Sequence, residues 1–499
     1  MTMIADPPHS ANDVGRTGLR RNTAGFYRVT AQGLLSNGPL ASSLLIIPTV
    51  ASYALGATPL AYLAGMFVVW FWINTPFQFA KRYASAGGVA YYSTRGLGST
   101  WGYVAGLSYI LYYTFFLAGI SAFIGGPLLQ VTFGLFNVAL PTWTWIPLTF
   151  VALGPILALV VYGLKPSLTY GIITVLLELV ILLVTSLVII FKSGGANTTA
   201  VYTGSMIPST KGIAIGMLVA AFGMSGSTAT AYLGEEAHLP FESIRRALLW
   251  ATGLVVFIFL VVSYASTVGW GASRMGTFST TAVPGLVLVG RYMGKWPEFV
   301  VALFTINSAI GEGVASAIIV SRLLHAFGHA GLMPRRLSAL SGASRTPLIA
   351  LVVTGVAAFV LAIVFGAWQG LLAGISLLLV VTTMAEFVGH LIGDCALMGE
   401  GLRHQVQRKM AFYVLPGCSG LTILAGMWAT FFPVSFPTMY APIIVIVLLV
   451  LGAAELWLLR RLSADRAREI DAALLELGES AADLHGGEQP EAVPGIQVA

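Results

Sequence analysis

The chain has 499 residues, 57% of them apolar and only 9% charged, with a mean hydropathy of +0.85. No water-soluble domain of this length tolerates that balance, so the composition excludes a soluble enzyme and specifies a multi-pass membrane protein. The net charge of +6 reflects how loops are arranged across a bilayer and does not point to nucleic acid.

Residues 1–28 are polar, carry Arg16, Arg20, Arg21 and Arg28, and lack the apolar core of a cleavable leader; a cytoplasmic tail is expected there. Apolar runs come next, at 30–56, 58–80, 98–129, 143–163, 166–191, 211–233, 243–270, 296–326, 346–367, 370–397, 410–431 and 437–460. Each has the ~20 residues that a helix needs to cross the ~30 Å hydrocarbon core. The predicted fold class is therefore an all-α integral membrane protein with twelve transmembrane helices. With the spans alternating in direction, all Lys and Arg except Lys192, Lys211, Arg274, Arg291 and Lys295 fall on the cytoplasmic side, which puts both termini inside a cell (plasma or inner) membrane. Beyond the last span, Ile470, Ala473, Leu474 and Leu477 predict a short surface helix, and the Gly, Pro and Glu after it predict disorder. Cys395 and Cys418 form neither a disulfide framework nor a metal set, and no cofactor is expected.

Two spans contain residues that interrupt a helix. The first carries Ser36-Asn37-Gly38-Pro39-Leu40-Ala41-Ser42-Ser43, and the sixth carries Phe222-Gly223-Met224-Ser225-Gly226-Ser227-Thr228 before ending at Gly234-Glu235-Glu236-Ala237. Backbone freed inside hydrocarbon needs a partner, so such breaks survive where they face protein, water or a bound solute. Five spans per half place both breaks in the first helix of a repeat, which predicts a 5+5 inverted repeat with two extra C-terminal helices. The boundaries are a tail at 1–28, a permease domain at 29–463 with repeats near 29–193 and 210–400 and extra helices at 408–463, and a cytoplasmic tail at 464–499.

At these residues the chain resembles the amino acid–polyamine–organocation (APC) superfamily of permeases. The likeness is carried by Phe222-Gly223 through Gly234-Glu235-Glu236-Ala237-His238-Leu239-Pro240 and Ile244-Arg245-Arg246-Ala247. It continues in Ser321-Arg322-Leu323-Leu324-His325-Ala326 to Gly331-Leu332-Met333-Pro334 with Thr346-Pro347, and in Ser85-Ala86-Gly87-Gly88 with Tyr91 and Gly96-Leu97-Gly98. Leu239 stands where the family usually has Asn, and Gly38-Pro39-Leu40 replaces its commoner Gly-x-Gly. The resemblance implies a LeuT-like fold with helices 1 and 6 discontinuous and the solute held between their breaks. Amide groups at Leu40–Ser43 suit a carboxylate there, and carbonyls freed around Phe222–Ser225 suit an ammonium group.

The candidate substrate-binding residues are accordingly Asn37, Gly38, Leu40, Ala41, Ser42, Ser43, Phe222, Gly223, Met224, Ser225, Gly226 and Ser227, with Tyr113 on the third span and Asn307 on the eighth. Phe222 is the candidate lid. Ionisable groups at membrane depth are costly and mark function. Glu178, Glu312 and Glu386 have no Lys or Arg at comparable depth, and a carboxyl buried without a cation is a candidate proton carrier. Glu386, His390 and Asp394 occupy positions i, i+4 and i+8, either as a relay or as a static interhelical ladder. Glu235 and Glu236 are expected to form a gate contact with basic residues such as Arg245. His325 and His329 read as a solvated helix end rather than a zinc pair.

The leading expectation is an amino acid permease of the secondary-active type, a symporter driven by protons in preference to sodium. The runner-up is a polyamine or cationic amino acid carrier or exchanger, and a channel or membrane enzyme is the more distant alternative. Partners are a small solute and the lipid bilayer; oligomeric state stays open.

Overall fold

The computed structural model describes residues 15–342, 345–431, 436–462 and 464–480. The disorder expected after the C-terminal helix concerns residues 481–499, which lie outside the described residues.

In chain order the helices are α1 (Phe26–Asn37), α2 (Pro39–Ala54), α3 (Thr58–Ala80), α4 (Val89–Leu97), α5 (Ser99–Phe123), α6 (Leu129–Gly134), α7 (Trp145–Val161), α8 (Leu164–Ser193) and α9 (Thr210–Gly223). A 3₁₀ segment, Ser225–Leu233, comes after α9. Then come α10 (Pro240–Trp270), α11 (Met275–Thr280), α12 (Pro284–Met293), α13 (Lys295–His329), α14 (Leu348–Gln369), α15 (Leu371–Arg403), α16 (Leu415–Phe431), α17 (Tyr440–Leu462) and α18 (Ala464–Glu476). A two-stranded antiparallel sheet joins β1 (Tyr83–Ser85) to β2 (Gly478–Ser480), with Ala84 opposite Glu479.

Eleven helical stretches among the described residues are long and apolar enough to cross a membrane. The first, Phe26–Ala80, has 55 residues, about 80 Å of helix at 1.5 Å per residue and far more than one crossing requires. It is interrupted at Gly38 and again by a 3₁₀ turn at Leu55–Ala57.

The side-chain pattern is that of a membrane protein. Along α8, Ile173, Leu176, Leu177, Val180, Val184 and Leu187 are exposed, while Gly171, Thr174, Glu178, Thr185 and Ser186 are buried. α14 likewise exposes Val352, Val353, Val356 and Val360 and buries Ala350, Thr354, Gly355 and Ala358. Lipid supplies the apolar surroundings outside, so small and polar residues line the protein-facing side, where backbones approach and hydroxyls find partners. α5 is the most enclosed of the spans. It packs against α4, α13, α14 and α15, so a residue on α5 reaches the middle of the molecule.

One end of the bundle is closed by chain segments from outside the spans. Thr23 and Ala24 donate their amides to the Glu236 carbonyl, at 2.9 and 3.0 Å, and His238 N donates to Ala24 O. Gly234 is required where that turn crosses β1, because a Cβ there would sit 2.3 Å from Ser85 N. The helix expected near residue 470 is α18. It buries Ile470 and Leu474, and Leu477 just beyond it is buried as well, so this part of the tail is docked, with Ser85 Oγ donating to Leu477 O.

Candidate functional site

The first break falls at Gly38. α1 ends there in a left-handed residue (φ 41°, ψ 69°) and α2 starts at Pro39. Only glycine fits, since a Cβ would meet Glu312 Cγ at 2.1 Å and the φ alone disfavours a side chain. The sequence assigns the amides at the start of α2 to a solute carboxylate; the structure gives them to the protein. Pro39 has no N–H, Leu40 N donates to Glu178 Oε2 at 3.5 Å, and Ala41 N donates to Ser308 Oγ at 3.1 Å. Ser308 in turn donates to Glu178 at 2.6 Å, and Ser42 Oγ donates to Glu312 at 2.6 Å. Ser42 N closes the first turn on Gly38 O, and Ser43 Oγ returns to Leu40 O. The cause is the Glu178 carboxylate of α8 and the Ser308 hydroxyl of α13, which reach the positive end of the helix and cap it.

The second break is at Gly223–Ser225, and the chain continues from it as a 3₁₀ segment where the sequence suggests a resumed α-helix. The run Ser225-Gly226-Ser227-Thr228 is rich in poor helix formers whose hydroxyls bond locally: Ser225 Oγ donates to Phe222 O and Thr230 Oγ1 to Ser227 O. The two breaks touch. Gly226 N donates to Asn37 Oδ1 at 3.1 Å, and a Cβ on Gly226 would lie 2.7 Å from Ser36 O. Ser225 Oγ also lies 2.9 Å from Glu386 Oε1, within hydrogen-bond distance, and Ser227 shares a hydrogen bond with Thr252 on α10. Met224 is fully buried, and Gly223 packs on Ile46. Asn307 is not brought to the breaks: its Oδ1 accepts from Tyr170 on α8.

Glu178, Glu312 and Glu386 are all buried, each with one oxygen bonded to hydroxyls or amides and the other without a protein partner. None makes an ion pair among the described residues. Their main partners are serine hydroxyls. A hydroxyl donates to a carboxylate and accepts from a carboxylic acid, so either protonation state is satisfied in place.

Tyr113 belongs to a buried cluster on α5 that also includes Tyr109 and Tyr112, completed by Tyr232 of the 3₁₀ segment. Ring centroids are 5.7 Å apart for Tyr109 and Tyr232 and 6.1 Å for Tyr113 and Tyr232. Sequence reasoning missed Tyr232, although it is the only aromatic residue between Phe222 and Pro240. A cavity of about 560 Å³ opens on the far side of the breaks, among α2, α9, α15 and α16. Its lining includes Leu45, Ile46, Phe222, Thr383 and Phe387. Phe222 and Phe387 adjoin, in sequence, the second break and Glu386.

Glu386, His390 and Asp394 share one face of α15 but bond to different neighbours. Glu386 meets Ser225, His390 Nε2 lies 3.0 Å from Trp72 O on α3, and Asp394 accepts from Thr75 on α3 and Ser419 on α16. His390 and Asp394 are 3.9 Å apart, outside hydrogen-bond range. The contacts are those of an interhelical ladder.

At the closed end, Glu236 does not meet Arg245. It forms a buried two-point pair with Arg322 of α13, whose Nη2 is 2.9 Å from Oε1 and whose Nε also donates. Arg245 lies on the side of α10 that packs against α3, its guanidinium 6.0 Å from the Phe77 ring centroid. Glu235 accepts from both Thr17 N and Thr17 Oγ1 at 2.7 Å. Burial pushes its pKa up to about 7 despite those two hydrogen bonds, with the charges of Glu236 and Glu479 adding to the rise. His325 is buried and not solvated, because the N-terminal segment covers it: Nε2 lies 3.0 Å from Thr17 O. Arg16 donates to Gly478 O, and Arg21 pairs with Glu479.

The two breaks thus meet beside buried carboxylates that make no ion pair among the described residues, and in comparison with known proteins the amino acid permease model matches residues 29–461. The chain belongs to the amino acid permease family. Membership places it among permeases and not among enzymes. Proteins named as uncharacterized transporters in Mycobacterium bovis and Mycobacterium tuberculosis are 26% identical over 288 residues, covering 56% of this chain and 59% of each relative. The match thus spans about three-fifths of the length of these curated relatives.

Proposed function

We propose that this permease is a secondary-active transporter working by alternating access, with its solute held where the break between α1 and α2 meets the break between α9 and the 3₁₀ segment. The observation that carries the reading is the Gly226 N to Asn37 Oδ1 contact, which joins two interrupted helices beside three buried carboxylates. Interrupted helices of this kind are the usual means by which transporters present backbone groups to a solute inside the bilayer. The first 55-residue stretch crosses twice in this reading, giving twelve spans as 5+5+2. Both tails then face the cytoplasm of the cell membrane, and the Glu236–Arg322 pair is the inner gate.

Protons are the proposed coupling ion and Glu178 and Glu312 their carriers, because each carboxyl is held by hydroxyls that accommodate either protonation state. Reconstitution into proteoliposomes tests this. Solute accumulation driven by a proton gradient and unchanged by sodium is expected, and Glu178→Gln and Glu312→Gln should each lose the gradient-driven part while keeping exchange. Undiminished proton-driven accumulation in both variants would refute the coupling, and a persistent conductance without saturable uptake would refute the carrier.

A further inference from the structure

Positive charge gathers where α3 ends. Lys81 follows Ala80, the last residue of α3, at the end of the bundle where β1 pairs with β2. Its Nζ donates to Gln78 Oε1 at 2.9 Å, Gln78 Nε2 donates to Asn74 Oδ1 at 3.1 Å, and Asn74 Nδ2 donates to Ala411 O at 2.7 Å. Gln78 and Asn74 are buried, so a chain of hydrogen bonds fixes where the ammonium stands. Nζ lies 4.5 Å from the Phe77 ring centroid, and the Arg245 guanidinium of α10 is 6.0 Å from the centroid of the same ring. Arg408, in the turn after α15, adds a third cation. Burial and the charges of Arg408, Arg245 and Arg82 push the Lys81 pKa down to about 8.

The nearby acids are engaged elsewhere. Glu242 pairs with Arg246 at 2.8 Å and Glu400 lies 3.7 Å from Arg82, whereas Lys81, Arg245 and Arg408 make no ion pair among the described residues. Like charges held together in this way destabilise one another until an anion joins them. Their position selects the anion. The cations stand where an apolar span ends, and exposed apolar side chains lead from them toward the membrane interior: Leu249 one turn on from Arg245, and Met410 and Val414 after Arg408. Guanidinium forks and an ammonium bind phosphate oxygens. A phosphate ester that carries acyl chains uses both the cations and the apolar surface, and a free phosphate uses only the cations.

We propose that Lys81, Arg245 and Arg408 form a binding site for the headgroup phosphate of an anionic phospholipid, in the leaflet at this end of the bundle. The bound lipid ties α3, α10 and the turn after α15 together. The site belongs to neither helix break and does not depend on which solute the permease carries.

The test titrates the purified full chain in detergent with phosphatidylglycerol or phosphatidylcholine and counts bound lipid by native mass spectrometry. Phosphatidylglycerol should be retained at least about tenfold more tightly, from the joint action of three basic residues. The triple variant Lys81→Gln/Arg245→Gln/Arg408→Gln should lose that preference. Lys165→Gln/Arg335→Gln/Arg336→Gln removes the same charge from exposed positions outside the cluster and should keep it. If the first triple variant unfolds on purification, Arg408→Gln alone decides: Arg408 is exposed, and its loss should weaken retention about fivefold, the factor that one basic residue contributes at an anionic surface. Lys81→Arg should retain the lipid as the parent does. Equal retention of the two lipids, or equal loss in both triple variants, overturns the site. Displacement of the lipid by inorganic phosphate, but not by chloride at the same ionic strength, overturns the lipid assignment in favour of a free anion.

Discussion

Glu236 and Glu312 are almost equally buried, yet the protein holds them by opposite means. At the closed end, Glu236 is locked to a guanidinium by two charge-assisted hydrogen bonds. At the first break, Glu312 has one serine hydroxyl and an oxygen to spare. A buried ion pair tolerates only one charge state, because removing either charge strands the other in a low-dielectric interior. A carboxyl on a hydroxyl keeps its hydrogen bond when it gains or loses a proton or meets a cation. The first arrangement resists change, and the second permits it.

The largest test of this contrast is Arg322→Ala, which leaves Glu236 buried and alone. It should cost about 3–5 kcal/mol of stability, read as thermal unfolding in detergent, and the Arg322→Ala/Glu236→Ala double variant should recover part of that. If the single variant melts like the parent, the pair is not a lock. Gly38→Ala comes next, at about 1–3 kcal/mol for a strained left-handed residue, with further disruption from its collision with Glu312; uptake and melting should fall together. By contrast Glu312→Gln should melt within about 1 kcal/mol of the parent, since its hydroxyl partner still bonds an amide. It should nevertheless lose proton-driven accumulation by at least about tenfold.

Glu235 supplies a pH test at the closed end. Its pKa near 7 in the docked state lies above the ordinary 4.5, so the docked state retains a proton that the undocked chain has lost between those values. Docking of residues 15–24 is therefore strongest below about pH 4.5, weakens as pH rises toward 7, and is flat above. Hydrogen exchange of that segment, corrected for the intrinsic pH dependence of exchange, should track this course, and Glu235→Gln should flatten it. The smallest expected effect is a gain. Leu239 is exposed in a left-handed conformation, φ 48°, where the family usually has Asn, a residue that tolerates it. Leu239→Asn should add up to about 1 kcal/mol, and no rise in melting temperature would mean that the strain is absorbed elsewhere.

The structure narrows the breaks to Gly38 and Gly223–Ser225; reading the sequence placed them within Ser36–Ser43 and Phe222–Thr228, because glycine, proline and serine interrupt helices by their own local chemistry. It also singled out Glu178, Glu312 and Glu386 because charge at membrane depth is rare. It did not find Arg322 as the partner of Glu236, 86 residues away, or Ser42 as that of Glu312, 270 residues away. Tyr232 escaped for a related reason: an aromatic residue is ordinary in a membrane span until three others from α5 are seen around it.

The sequence by itself determined a helical membrane protein, the segments in which its first and sixth spans are interrupted and the carboxylates that lie at membrane depth, since apolar run length, glycine content and charge are local properties of the chain. Only the tertiary structure decided which groups those carboxylates meet. The amides of α2 look free in sequence and suited to a solute's carboxylate. Packing α8 and α13 against them brings Glu178 and Ser308 within hydrogen-bond reach. A helix end has few unpaired donors, and whichever acceptor is held closest takes them.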